Sequence, residues 1–194
     1  TVTSIGGQAF RGASSLTSIN IPKSVTSIGS TAFQTATNLA SITFDPESKL
    51  TTIGPDAFVD TAIQTIAIPN SVTSIGYAAF AGARFLTSVT IPNSVTSIGD
   101  RAFDGASSLK AITIPKSVIS IGNVAFRGNT ALQAVTFETD SQVTSLPYAL
   151  FWGATALSAI TIPNSVTDIG EFAFYYATSL ASITIPSSVT SIGE

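Results

Sequence analysis

Ser24-Val25-Thr26-Ser27-Ile28-Gly29 recurs unchanged at Ser71–Gly76 and Ser94–Gly99. Close copies stand at Ser117–Gly122 and Ser165–Gly170, and a further exact one at Ser188–Gly193. Self-similarity at a fixed period of about 23 residues describes stacked structural units, not one globular core. Outward from this hexapeptide the full repeat reads Leu-x-x-Ile-x-Ile-Pro-x-Ser-Val-x-Ser-Ile-Gly-x-x-Ala-Phe-x-Gly-Ala-x-x. No single unit can bury its own apolar positions, so neighbours must stack to make a core. The chain is therefore expected to form one solenoid over residues 1–194.

The spacing Leu16, Ile19, Ile21 is the strand pattern of a leucine-rich repeat, and it returns as far as Leu180/Ile183/Ile185. It predicts a mainly β solenoid of about eight repeats of roughly 22–25 residues, with parallel strands on one face and short strands and turns on the other. A second apolar pair follows in each unit, as in Val25/Ile28, Val72/Ile75 and Val95/Ile98, and predicts a short strand on the opposite side. Phe10, Phe33, Phe58, Phe80, Phe103, Phe126, Phe151 and Phe174 predict an internal aromatic stack.

The remaining fixed residues have backbone roles. Gly6, Gly29, Gly54, Gly76, Gly99, Gly122, Gly170 and Gly193 are expected to take positive φ or a tight corner. Pro147 stands in that column and requires a corner built differently. Pro22, Pro69, Pro92, Pro115, Pro163 and Pro186 end the first strand, where an N–H is not needed. Ser24, Ser71, Ser94, Ser117, Ser165 and Ser188 are expected to form a hydroxyl ladder bonding backbone groups in successive turns. Ser48 and Ser141 hold this place one residue later, after insertions.

Composition narrows the function classes. Hydrophobic residues make up 44% and charged residues 10%, which excludes a disordered chain. The net charge is −3 and the eight basic residues are scattered, so no stripe exists to neutralise phosphates and nucleic acid is not an expected partner. No apolar run reaches about 18 residues, so no membrane insertion is expected. Cys, Met and His are absent, which removes disulfides and makes a structural zinc site unexpected. With neither His nor Cys, and no converging carboxylates, no enzyme activity and no cofactor are expected.

The pattern Leu-x-x-Ile-x-Ile-Pro-x-Ser-Val-x-x-Ile-Gly-x-x-Ala-Phe-x-Gly resembles the BspA-like leucine-rich repeats over essentially the whole chain. The resemblance implies a surface-exposed or secreted protein engaged in adhesion, matrix-protein binding or host-cell contact. It carries over no catalytic residue. The family usually has Cys three residues after the Phe. Here Ala13, Ala36, Ala83, Ala106, Ala154 and Ala177 stand there, with Asn129 once. Loss of the thiol suits an oxidising exterior and an engineered chain alike.

Function in a solenoid belongs where the columns vary. Two units carry acidic inserts, Phe44–Lys49 and Phe137–Gln142. Asp45/Glu47 and Glu138/Asp140 offer hard oxygen ligands, but two carboxylates are too few for a defined cation site, and a solvated loop is the expectation. The column just after the core Phe reads Arg11, Gln34, Val59, Ala81, Asp104, Arg127, Trp152, Tyr175. Its last two members are expected to be spatial neighbours, with Tyr148, Phe172 and Tyr176 in adjacent columns. Such aromatic clusters anchor protein partners or stack on sugars; the same rings would also stiffen the turns. The outward side of the first strand carries small polar residues such as Ser18/Asn20, Ser88/Thr90 and Ser182/Thr184, a flat and nearly uncharged face suited to a protein partner.

Val2–Gly6 and Val189–Gly193 fall at the same phase of the repeat, so the sequence is expected to be an uncapped array or an excerpt, or to stack end to end. Together these features predict a non-enzymatic surface-exposed or secreted recognition module for a protein or glycan. The alternative is a structural spacer or self-assembling fibre subunit.

Overall fold

The computed structural model describes residues 1–193 as a coil of parallel strands in two ranks. The first rank comprises Ser18–Ile21, Ser41–Phe44, Thr65–Ala67, Ser88–Thr90, Ala111–Ile114, Ala134–Phe137 and Ala159–Ile160, in sheets of four and three strands. Because the period is kept, each column stacks on itself: Ile19 pairs with Ile42 and Ile112 with Val135. Ala111–Ile114 alternates exposed and buried, so the apolar columns face inward. The eighth segment, Leu180/Ile183/Ile185, makes only a Thr161–Thr184 bridge instead of a strand. Its Ile185 is 41% exposed, so burial does not hold it flat as it holds the others.

The second rank consists of two-residue strands such as Ser27–Ile28, Ser74–Ile75 and Ser97–Ile98. They are shorter than the Val/Ile pairs suggest. Val25, Val72 and Val95 are fully buried but belong to turns, where their N–H groups donate to the carbonyls of Pro22, Pro69 and Pro92 at 3.0–3.1 Å. The prolines thus end the first strand and start the turn into the second.

Six second-rank strands pair in sequence, from Ser4–Ile5 to Ser120–Ile121; a separate three-stranded sheet begins at Ser145–Leu146. The gap coincides with Pro147. On either side, the glycine of this column donates its N–H across the turn, as Gly122 does to Ile98 O and Gly170 to Leu146 O. Proline has no N–H to donate, so the ladder lapses at this rung.

The glycines of this column have a different role from the expected one. Positive φ falls on Gly12, Gly82, Gly105, Gly128 and Gly153, two residues after the core Phe, and not on Gly29 or Gly99. What Gly29 and Gly99 supply is room: a Cβ on Gly99 would stand 2.8 Å from Gly76 C and Tyr77 N of the preceding turn. A further left-handed position recurs two residues before the Phe and is never Gly: Gln8, Thr31, Asp56, Ala78, Arg101, Val124, Ala149 and Phe172. Val124 and Thr31 are β-branched and disfavour this region. The conformation is imposed from outside the residue, because Val124 donates its N–H to Tyr148 O and Thr31 to Pro55 O of the next turn, both at 2.9 Å.

Inside, the Phe rings form the expected stack, with successive centroids 5.1–5.8 Å apart. The serine ladder is also present: the Ser94, Ser117 and Ser165 hydroxyls donate to Val72, Val95 and Val143 carbonyls at 2.7–2.8 Å. Ser48 and Ser141 depart from it, each accepting from the N–H two residues on. Thr26, Thr51, Thr96, Thr167 and Thr190 make a parallel hydroxyl ladder that the sequence reading missed.

Asn129 breaks the small-residue column. It is fully buried, and neither amide atom has a partner among the described residues. An unsatisfied buried amide costs about 1–3 kcal/mol. Asn129→Ala restores the residue found at Ala106 and Ala154 and is expected to stabilise the chain by about 1 kcal/mol. Thermal unfolding checks this; a lower Tm would show that the amide is satisfied in solution.

Candidate interaction surface

The column after the core Phe places Asp104, Arg127, Trp152 and Tyr175 on successive rungs. Each is positioned by the backbone bonds between turns: Gly128 N–H donates to Trp152 O at 2.7 Å and Gly153 N–H to Tyr175 O at 2.8 Å. Arg127 binds Asp104 through Nε at 2.9 Å and a terminal nitrogen at 2.7 Å, and Arg101 lies 3.9 Å from the same carboxylate. The Asp104 hydrogen bonds raise the Arg127 pKa further above its ordinary value. Opposite charges on successive rungs were legible in the column; their forked pairing was not.

Beyond Arg127 the surface becomes aromatic. Trp152 meets Tyr175 edge-on, with centroids 5.2 Å apart and planes at 83°, and lies 5.7 Å from Phe172. Phe172 packs edge-on against Tyr175 at 5.5 Å and against Tyr148 at 5.8 Å. Tyr175 and Tyr176 are 4.3 Å apart, and hydrogen bonding to Tyr176 pushes the Tyr175 phenol up. All five rings named from the sequence therefore lie together, from two adjacent turns. Trp152 is half-buried; Tyr148, Phe172, Tyr175 and Tyr176 are exposed. The separations are too close for a cage around a cation, since the rings fill the space between one another.

Two of the five rings sit on left-handed backbone. Phe172 has φ 58° and Tyr176 also 58°. The Phe172 position is left-handed in every turn. The Tyr176 position is held in five other turns by glycine, with Thr35 and Asp60 in the remaining two. The sequence reading did not separate these two positions, although the Gly of the Phe-x-Gly consensus marks the second of them.

The acidic inserts are occupied locally. Glu47 pairs with Lys23 at 2.6 Å, Asp45 accepts from the Glu47 N–H, and Glu138 accepts from the Lys116 N–H. Among the described residues no three of His, Cys, Asp and Glu gather as metal ligands. An open groove beside the second insert is lined by Glu138, Asp140, Thr161 and Asn164. The first-rank face is uncharged, with Thr43 hydrogen-bonded to Asn20 at 3.0 Å. No helix of the described residues is long and apolar enough to cross a membrane.

In-register ranks of parallel strands on a leucine-type pattern define a leucine-rich-repeat solenoid, a class of generally protein-binding scaffolds. The chain belongs to the BspA type leucine-rich repeat family, whose pattern matches in six copies over residues 1–86 and 73–194. It is similar to the leucine-rich repeat protein TpLRR of T. pallidum, at 27% identity and a TM-score of 0.68, covering 93% of this chain and 72% of that one. It shares its fold with the pneumococcal vaccine antigen PcpA, at 24% identity and a TM-score of 0.66. That likeness covers 97% of this chain, which spans 57% of the PcpA chain. No curated protein matches the chain.

Proposed function

We propose that this solenoid is a non-catalytic, surface-exposed or secreted recognition and adhesion module that binds a protein or glycan through the Trp152–Tyr175 surface. One observation carries the reading: five aromatic rings from two adjacent turns gather on the outside of a scaffold whose other turns place a single ring, Tyr77, in the same columns. Aromatic residues beside arginine are the side chains that dominate interface energetics. The resemblance to surface proteins of the family supports the location.

The test is an array of immobilised matrix polypeptides and oligosaccharides probed with the natural chain and with the Trp152→Ala/Tyr175→Ala variant. Both side chains lie outside the core, so the variant is expected to keep its Tm within a few degrees. Its affinity for the captured component is expected to fall by at least about tenfold. Equal affinity of the two proteins would remove this surface from the account.

A further inference from the structure

We propose that the Trp152–Tyr175 surface takes a basic segment of polypeptide, with an arginine side chain on an outer ring face and Glu171 as its counter-charge. This rests on the reading above and narrows its partner to one class. All eight Lys and Arg residues of the chain lie at or before Arg127, interspersed with acidic ones. The stretch after Arg127 carries Glu138, Asp140, Asp168, Glu171 and Glu194 and no basic residue. Charge is thus segregated along the solenoid, and the two turns that bear the rings are acidic only. The carboxylates held in ion pairs, those of Glu47 and Asp104, both belong to the earlier stretch. Among the described residues no Lys or Arg pairs with Glu138, Asp140, Asp168 or Glu171. A surface with an unmatched charge of one sign steers and selects partners of the other.

Glu171 brings that charge to the rings. It directly precedes Phe172 and is exposed. Its carbonyl accepts from the Ala149 N–H at 2.9 Å, as Tyr148 O accepts from the Val124 N–H one turn earlier, so Glu171 and Tyr148 share a column. The rings themselves are open to solvent: Phe172 is 38% exposed, Tyr148 42%, Tyr175 44% and Tyr176 60%. An edge-to-face contact occupies one face of one ring and leaves the other face free. The rings enclose no space for a cation, but a guanidinium needs only one face. It lies flat on that face while its N–H groups reach a carboxylate, which the compact ammonium of lysine does less well. The chain's own nearest cation in the column, Arg127, stands two rungs before Tyr175 and is engaged by Asp104 at 2.7 and 2.9 Å, not by Glu171.

Random peptides displayed on phage are selected on the folded natural chain after depletion on the Trp152→Ala/Tyr175→Ala variant, so that those kept depend on the rings. An oligosaccharide array is probed with both proteins in parallel. The kept peptides are expected to be rich in Arg, less so in Lys, and poor in Asp and Glu. The best of them, made synthetically, is expected to bind Glu171→Gln about threefold more weakly than the natural chain. It is also expected to bind the natural chain more weakly as salt rises from about 0.05 M to about 0.5 M. Asp140→Asn removes the same charge from the insert after Ala134–Phe137 and is expected to leave the affinity unchanged. Both side chains are exposed, so neither variant is expected to shift Tm. Enrichment of uncharged or acidic peptides, or ring-dependent capture of oligosaccharides alone, would overturn the basic partner and leave the broader reading standing. The same holds if Glu171→Gln binds normally, or if Asp140→Asn weakens binding as much. If neither peptides nor oligosaccharides distinguish the natural chain from the Trp152→Ala/Tyr175→Ala variant, the broader reading fails as well.

Discussion

Replacing Phe103 with Ala is expected to destabilise the chain by about 4 kcal/mol, within the range for emptying a buried aromatic site. Phe103 is fully buried, and its ring lies 5.4 Å from Phe80 and 5.5 Å from Phe126, nearly parallel to both. Deleting it removes two stacking contacts and leaves a void that the turns on either side must share. Those turns are held to each other by backbone bonds such as Phe80 N–H to Ala102 O and Phe103 N–H to Ala125 O, both 2.8–2.9 Å. They therefore cannot close over the gap. In a solenoid each unit contacts only its neighbours, so a change at one interior rung weakens two interfaces and no distant one. Denaturant unfolding followed by circular dichroism measures the loss. A loss under about 1.5 kcal/mol would mean that the stack is loose in solution.

Gly99→Ala is expected to cost about 3 kcal/mol for a different reason, overpacking. The added methyl would lie 2.8 Å from Gly76 C and Tyr77 N and 2.9 Å from Gly76 O. All are backbone atoms, which cannot swing aside as the end of a side chain can. Relief requires the two turns to part, stretching the Gly99 N–H to Ile75 O bond, now 2.9 Å. Gly105→Ala makes the contrast. Gly105 has φ 71°, and its nearest neighbour would be 3.9 Å from the new Cβ. That variant suffers only the left-handed penalty of about 1–2 kcal/mol. Parallel unfolding curves decide the matter: if Gly105→Ala were the more damaging, the two glycine columns would have been assigned the wrong roles.

Most of the fold was legible because the period was constant. Once Ile19, Ile42 and their counterparts were aligned, register followed, and with it the Phe stack and the serine ladder. Local conformation was harder. A recurrent glycine reads as positive φ, yet Gly99 is present because the neighbouring turn leaves no space for a Cβ. Conversely, nothing local marks Val124 as left-handed; its hydrogen bond to Tyr148 of the next turn does that. Pro147 was legible as a break, but its consequence, a lapse in the second sheet, needed the ladder of neighbouring N–H groups to be seen. At the aromatic surface the sequence placed the residues together, since Trp152 and Tyr175 share a column. Ring orientation depends on how the side chains settle against one another, and periodicity carries no information about that.

The core and the surface are linked through spacing. The Phe stack and the backbone bonds between turns fix the rungs, and the rungs hold Trp152 and Tyr175 at 5.2 Å. Trp152 is also the only Trp of the chain, so its emission reports this surface alone. The most direct measurement is acrylamide quenching of that emission, with and without the component captured from the polypeptide and oligosaccharide array. Binding at the proposed surface should lower the quenching constant of Trp152 at least about twofold, as a buried contact excludes the quencher. An unchanged quenching constant at saturating ligand would place the contact elsewhere on the solenoid and contradict the account.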